Sequence, residues 1–236
     1  YASRAGIQGR VFVPAYASGP KRQQIESYGA EVVAVPGPRS NAAKAVLQSA
    51  KAGAVYASHA FLPHGIAGIA TVAFELFQQS SRSPGTILTP LGHGSLLLGL
   101  HLGFKALREV GLLENLPMLV GLQAGEVAPL WKAYHDNQKV PARVKEGKTI
   151  AEGVSIATPY HGEQVLKAIR ESGGLILKVG EQEIVKGQKR LASQGLYVEP
   201  TSALIWSGLE QLPHQVPDPI ICLVTGHGLK SDITVA

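Results

Sequence analysis

Short apolar runs alternate with amphipathic stretches along this chain, at intervals that fit strands and helices joined by tight turns. Residues 1–6 read as the last turn of a helix stopped by Gly6. Residues 11–14 predict a strand, 20–28 a short helix closed by Gly29, and 31–35 a second strand. Ser40 is placed to cap a helix through Lys51, and residues 54–57 predict a third strand. Farther on, the pattern predicts a longer helix over 66–79, a strand over 86–91, a helix over 97–112, a strand over 118–122 and a helix over 128–135. The polar stretch 136–149 reads as an exposed excursion. Beyond it come a helix at 162–171, a strand at 175–179, helices at 181–193 and 201–212, and a last apolar strand at 219–225. Strands spaced by helices of this length build βαβ units, which predicts an α/β fold with mostly parallel sheet.

Two glycine-histidine-glycine turns stand out against that pattern. Gly92-His93-Gly94-Ser95-Leu96 joins a strand to a helix, and Thr225-Gly226-His227-Gly228 follows the last apolar run. A glycine-rich bend before a helix turns backbone N–H groups toward an anion, with the positive end of the helix dipole behind them. The first turn therefore reads as a phosphate cradle, although such turns also arise for steric reasons alone. The second is expected to end a buried strand with a hydroxyl suited to one specific polar contact. A dinucleotide fingerprint is disfavoured, because Gly92, Gly94 and Gly99 have the wrong spacing and Gln123, not a carboxylate, follows the next strand.

Composition narrows the picture further. With 236 residues the chain can bury a real core, as one large domain or one and a half. Its 17% charged and 45% hydrophobic residues are ordinary for a soluble globular protein. The net charge of +5 raises nucleic-acid binding, but the basic residues are dispersed and aromatics make up only 6%, which disfavours it. One cysteine, Cys222, excludes an intramolecular disulfide or a cysteine metal cluster, and is compatible with a reducing cytoplasm. Inside an apolar strand it reads as an inert thiol. No run is long enough to span a membrane and no signal-peptide pattern is present. His59 and His64 lack a supporting carboxylate and read as loop residues, so no metal site is expected. No Gly-x-Ser-x-Gly elbow occurs.

Several segments in order carry a family likeness: residues 1–14, residues 19–33, Pro90-Leu91-Gly92-His93-Gly94-Ser95-Leu96, Val198-Glu199-Pro200-Thr201-Ser202-Ala203 and Val224-Thr225-Gly226-His227-Gly228-Leu229-Lys230. Together they resemble the threonine synthase branch of the fold-type II pyridoxal-phosphate enzymes, over essentially the whole chain. The resemblance implies two three-layer αβα domains: a partial small domain over 1–66 and a large cofactor-binding domain over 67–236. It implies pyridoxal 5'-phosphate as cofactor, its phosphate held by Gly92, His93, Gly94, Ser95 and Leu96, its ring nitrogen by Thr225, and its face lined by Gly153. His93 stands where many relatives carry asparagine. The implied activity is a lyase reaction in amino-acid biosynthesis, first the conversion of O-phosphohomoserine and water to threonine and phosphate. Threonine or serine ammonia-lyase activity is the alternative, and a non-catalytic relative a third reading. The small-molecule partner is an amino acid, and the full-length protein is expected to be a cytoplasmic homodimer without nucleic-acid or membrane partners. The family's Schiff-base lysine and its substrate-carboxylate turn have no match here, so no catalytic residue is assigned. The chain reads as an N-terminally truncated piece, expected to be poorly soluble alone because its sheet would expose apolar surface.

Overall fold

The computed structural model describes residues 1–17, 19–58, 62, 64–141 and 143–230. The chain divides into two compact units, Tyr1–Ser58 with Gly228–Ala236, and His59–His227. The division falls after Ser58 rather than near residue 66, and the residues from Gly228 group with the first unit.

The first unit opens with a 3-10 turn, Ser3–Ala5, closed by Gly6 at a positive φ of 66°. Strand β1 (Arg10–Pro14), helix α1 (Gly19–Ser27), strand β2 (Glu31–Val35) and helix α2 (Arg39–Lys51) follow. β1 and β2 pair in parallel, with Phe12 opposite Val33. The Arg22 guanidinium on α1 donates to the carbonyls of Pro14 and Ala15, tying the helix to the end of β1. Two expectations fail here. Ser40 lies inside the first turn of α2, whose N-cap is Pro38, and makes no side-chain cap. Residues 54–57 form no strand, and Val55 is 89% exposed. A strand exists only through its neighbour, so apolar character alone does not make one.

The second unit runs α3 (Gly65–Ile69), α4 (Thr71–Gln79), β3 (Thr86–Pro90), α5 (Ser95–Glu109), β4 (Met118–Ala124), α6 (Pro129–His135), a 3-10 turn at Glu152–Val154, α7 (Gly162–Glu171), β5 (Leu175–Val179), α8 (Glu181–Ser193), α9 (Pro200–Glu210) and β6 (Ile220–Cys222). The four strands form one parallel sheet in the order β5-β4-β3-β6. Side chains alternate between its faces. Ile87, Leu119 and Ile176 pack with Leu97, Phe104, Leu130 and Ile169 from α5, α6 and α7. Leu88, Val120 and Val179 pack with Ile184, Leu191 and Leu204 from α8 and α9. This is a three-layer αβα unit with a dry core on each face of the sheet.

Two elements depart from the sequence pattern for local reasons. The long helix expected over 66–79 is broken at Ala70, where the Thr71 hydroxyl donates to the Gly68 carbonyl (2.9 Å) and competes with the helical ladder. The last strand stops at Cys222. Leu223 N–H still donates to the Leu88 carbonyl (3.0 Å), but the next rung needs an N–H from residue 90, and that residue is proline.

His101 on α5 couples this core to pH. Its Nε2 lies 3.0 Å from Glu171 Oε2 on α7, and its Nδ1 is buried without a partner among the described residues. Burial holds the imidazole below the ordinary histidine range, with Lys105 and Arg108 adding to the effect and Glu171 opposing it. The folded state therefore binds a proton less readily than the unfolded chain. Its contribution to stability is complete above about pH 6.5 and is lost as pH falls from there through the depressed folded value. His101→Leu should flatten thermal stability against pH over that window relative to wild type. Parallel curves for the two proteins would refute it.

Candidate functional site

The first glycine turn is shaped by what cannot fit there. Gly94 has φ 97°, and a Cβ on it would lie 2.1 Å from Val165 Cγ2. A Cβ on Gly92 would lie 3.1 Å from the Gly153 carbonyl oxygen. Helical pairing begins only at Leu98, whose N–H donates to the Gly94 carbonyl (2.9 Å). The N–H groups of Ser95, Leu96 and Leu97 accordingly have no carbonyl within the helix. Among them sits the Ser95 hydroxyl, in a residue only 5% exposed, with no hydrogen-bond partner among the described residues. A buried unpaired hydroxyl costs roughly 1–3 kcal/mol. No acidic side chain occupies the first turn of α5. Unpaired donors, a buried hydroxyl and the helix dipole make this a cradle that lacks an acceptor, and a phosphate supplies one. Leu96 offers its amide while its side chain packs on the core.

Two residues hold the turn in place. His93 Nδ1 accepts the Tyr160 N–H (3.2 Å), and its carbonyl accepts the His161 N–H (3.3 Å). The imidazole thus ties the turn to the segment that enters α7. Gln123, fully buried at the end of β4, donates from Nε2 to the Leu91 carbonyl (3.3 Å). Its Oε1 accepts the N–H groups of Leu130 and Trp131, both at 2.9 Å, and so caps α6. Sequence reasoning passed over Gln123 as merely a missing carboxylate, although a polar residue ending a buried strand was the available signal.

The remaining site residues converge on the first turn of α9. Gly153 N–H donates to Thr201 Oγ1 (3.1 Å), and a Cβ on Gly153 would lie 2.8 Å from that oxygen. Gly153 therefore presents bare backbone between Thr201 and Gly92. The neighbouring Ser202 Oγ accepts the N–H groups of Thr225 (2.9 Å) and Gly226 (2.8 Å), and lies 3.0 Å from Thr225 Oγ1. Gly226 has no room for a side chain beside Glu199, whose N–H donates to the Gly226 carbonyl (3.1 Å). Thr225 does not end a buried strand as expected. It is exposed, three residues beyond Cys222, and α9 positions it rather than the sheet. Burial pushes the Cys222 thiol above its ordinary range, which keeps it unreactive. His59 lies outside the described residues, and His64 is the N-cap of α3. Among the described residues no group of three or more His, Cys, Asp or Glu could hold a metal ion.

Comparison with known proteins adds a family and a fold. A family model described as "Pyridoxal-phosphate dependent enzyme" matches residues 1–226. The threonine synthase of Methanocaldococcus jannaschii is 34% identical over 238 residues, covering 98% of this chain and 58% of that protein. The chain spans about three fifths of the length of the curated relatives it matches. Among solved structures, maize serine racemase superposes with a TM-score of 0.80 at 19% identity, over 96% of this chain and 68% of that one. A bacterial threonine deaminase (from T.th.) gives 0.78 at 23%, over 99% and 73%.

Proposed function

Since the chain belongs to the family of pyridoxal-phosphate dependent enzymes, we propose that it is the cofactor-binding part of a threonine synthase, which converts O-phosphohomoserine and water to threonine and phosphate. Its α/β architecture is that of fold-type II enzymes. The observation that carries the reading is the buried, unpartnered Ser95 hydroxyl among the free amides opening α5.

In this reading the amides of Gly92, His93, Gly94, Ser95 and Leu96, with Ser95 Oγ, hold the cofactor phosphate. Thr225 bonds the ring nitrogen, and Gly153 lines the cofactor with backbone only. When bound, the cofactor supplies an electron sink for negative charge developing beside the substrate's amine-bearing carbon. The chain's own contribution is placement: donors already aimed cost no reorganisation when the ligand arrives. A hydroxyl at the ring nitrogen, instead of a carboxylate, leaves that nitrogen less firmly protonated. The lysine that carries the cofactor belongs to sequence outside this chain, so no residue here is assigned as the proton carrier. The full-length protein is read as a cytoplasmic homodimer, and no described helix is long and apolar enough to cross a membrane.

Ammonia-lyase activity on threonine or serine remains the second reading, supported by the fold shared with threonine deaminase. Supplying the whole protein with each substrate separates the two. Phosphate and threonine released from O-phosphohomoserine support the first, whereas ammonia and a keto acid released from threonine or serine replace it with the second. The cradle has its own test. Ser95→Ala should weaken pyridoxal-phosphate binding roughly tenfold or more, as loss of a bond to a charged acceptor does. Thermal stability of the cofactor-free protein should stay the same or rise, because the hydroxyl has no partner to lose. Unchanged affinity in a fluorescence titration would remove Ser95 from the site.

A further inference from the structure

Ser202 is fully buried, and its oxygen has a hydrogen-bonding ledger that closes in one way. A serine hydroxyl carries two lone pairs and one hydrogen. Both lone pairs are taken by backbone donors, the amides of Thr225 (2.9 Å) and Gly226 (2.8 Å). Its hydrogen must therefore go outward, and the candidate acceptors are Thr225 Oγ1 at 3.0 Å and the Gly226 carbonyl at 3.4 Å. The carbonyl already accepts the Glu199 N–H (3.1 Å), and Thr225 Oγ1 is the nearer atom. Were Thr225 the donor instead, Ser202 would have to accept three hydrogens.

We propose that Ser202 is a positioning residue that sets the polarity of the Thr225 hydroxyl, donating to Thr225 Oγ1 so that Thr225 presents its own hydrogen to a ligand. The two hydroxyls then form a relay running from α9 outward, and accepting the first bond strengthens the second. Thr225 is solvent-exposed, so its hydrogen is available to a ligand. The matching ligand group is an unprotonated heteroaromatic nitrogen. This rests on the reading that the cofactor's ring nitrogen meets Thr225, and adds that it does so as an acceptor because of Ser202.

The test is nitrogen NMR of the cofactor-loaded protein carrying pyridoxal phosphate isotopically labelled at the ring nitrogen. In the wild type the resonance should sit at the position of an unprotonated, hydrogen-bonded pyridine. Thr225→Val should move it toward free pyridine and weaken cofactor retention about fivefold, the worth of one ordinary hydrogen bond. Ser202→Ala should move it the same way by less, and Ser202→Thr should restore it. Since Ser202→Ala also strands two amides, Thr225→Val, which leaves those bonds intact, keeps the test decisive if the alanine variant does not fold. A protonated ring nitrogen in the wild type overturns the proposal, as does a resonance that ignores Thr225→Val. A protein that retains no label overturns the cofactor reading itself, and the proposal with it.

Discussion

Replacing Gly94 with alanine should abolish cofactor retention and destabilise the second unit by about 3 kcal/mol. Two costs add. A non-glycine residue in the left-handed region loses roughly 1–2 kcal/mol, and a methyl placed 2.1 Å from Val165 Cγ2 forces a shift in a packed core worth roughly 1–3 kcal/mol. The shift falls on the cradle, since Gly94 precedes the helix turn whose amides hold the phosphate. A displacement of about 1 Å in such a site costs on the order of a hundredfold. Val165→Ala on the same background should recover the part due to the clash and leave the part due to φ, which a double-mutant cycle reads directly. Wild-type melting and wild-type cofactor affinity in Gly94→Ala would show that neither constraint operates.

Gln123→Met should cost about as much without touching the ligand. Methionine fills similar space, yet it strands the Leu130 and Trp131 amides at the start of α6 and the Leu91 carbonyl ahead of the glycine turn. Each buried donor left unpaired costs roughly 1–3 kcal/mol, so about 3 kcal/mol is expected from chemical denaturation. Cofactor affinity should fall as well, because Leu91 is the residue that enters the cradle. A loss under about 0.5 kcal/mol would mean that water replaces the glutamine, and its role as a tie between β4, α6 and the turn would be withdrawn.

These two residues also mark the limits of what the sequence disclosed. Gly94 was legible: a glycine between a buried strand and an amphipathic helix has few reasons to be there, and the strand Thr86–Pro90 announces itself by burial on both faces. Gln123 was not, because its partners lie 7, 8 and 32 residues away and only the fold brings them together. The same division runs through the sheet. Glu31–Val35 and Leu175–Val179 appear as read, since apolar pattern and bounding turns agree. Residues 54–57 share that pattern and form no strand, and the run at 219–225 contributes only Ile220–Cys222 because its neighbour supplies a proline. Local pattern reports which residues prefer burial; where pairing starts and stops belongs to the partner. Likewise the family motifs marked Thr225 and the segment around Ser202, but not the hydroxyl pair that joins them.

Pro90 carries one consequence beyond shortening a strand. Because it ends the ladder on that side of β3, the Thr225 turn is not stitched into the sheet, and the amides of Thr225 and Gly226 hang instead on the oxygen of Ser202. In hydrogen-exchange terms these protons should be released by local undocking of the α9 start, well before the global unfolding that frees the amides of β3 and β4. The scaffold and the hydroxyl it displays then have separate stabilities, so the turn can open and reseat around a ligand while the sheet beneath it stays folded.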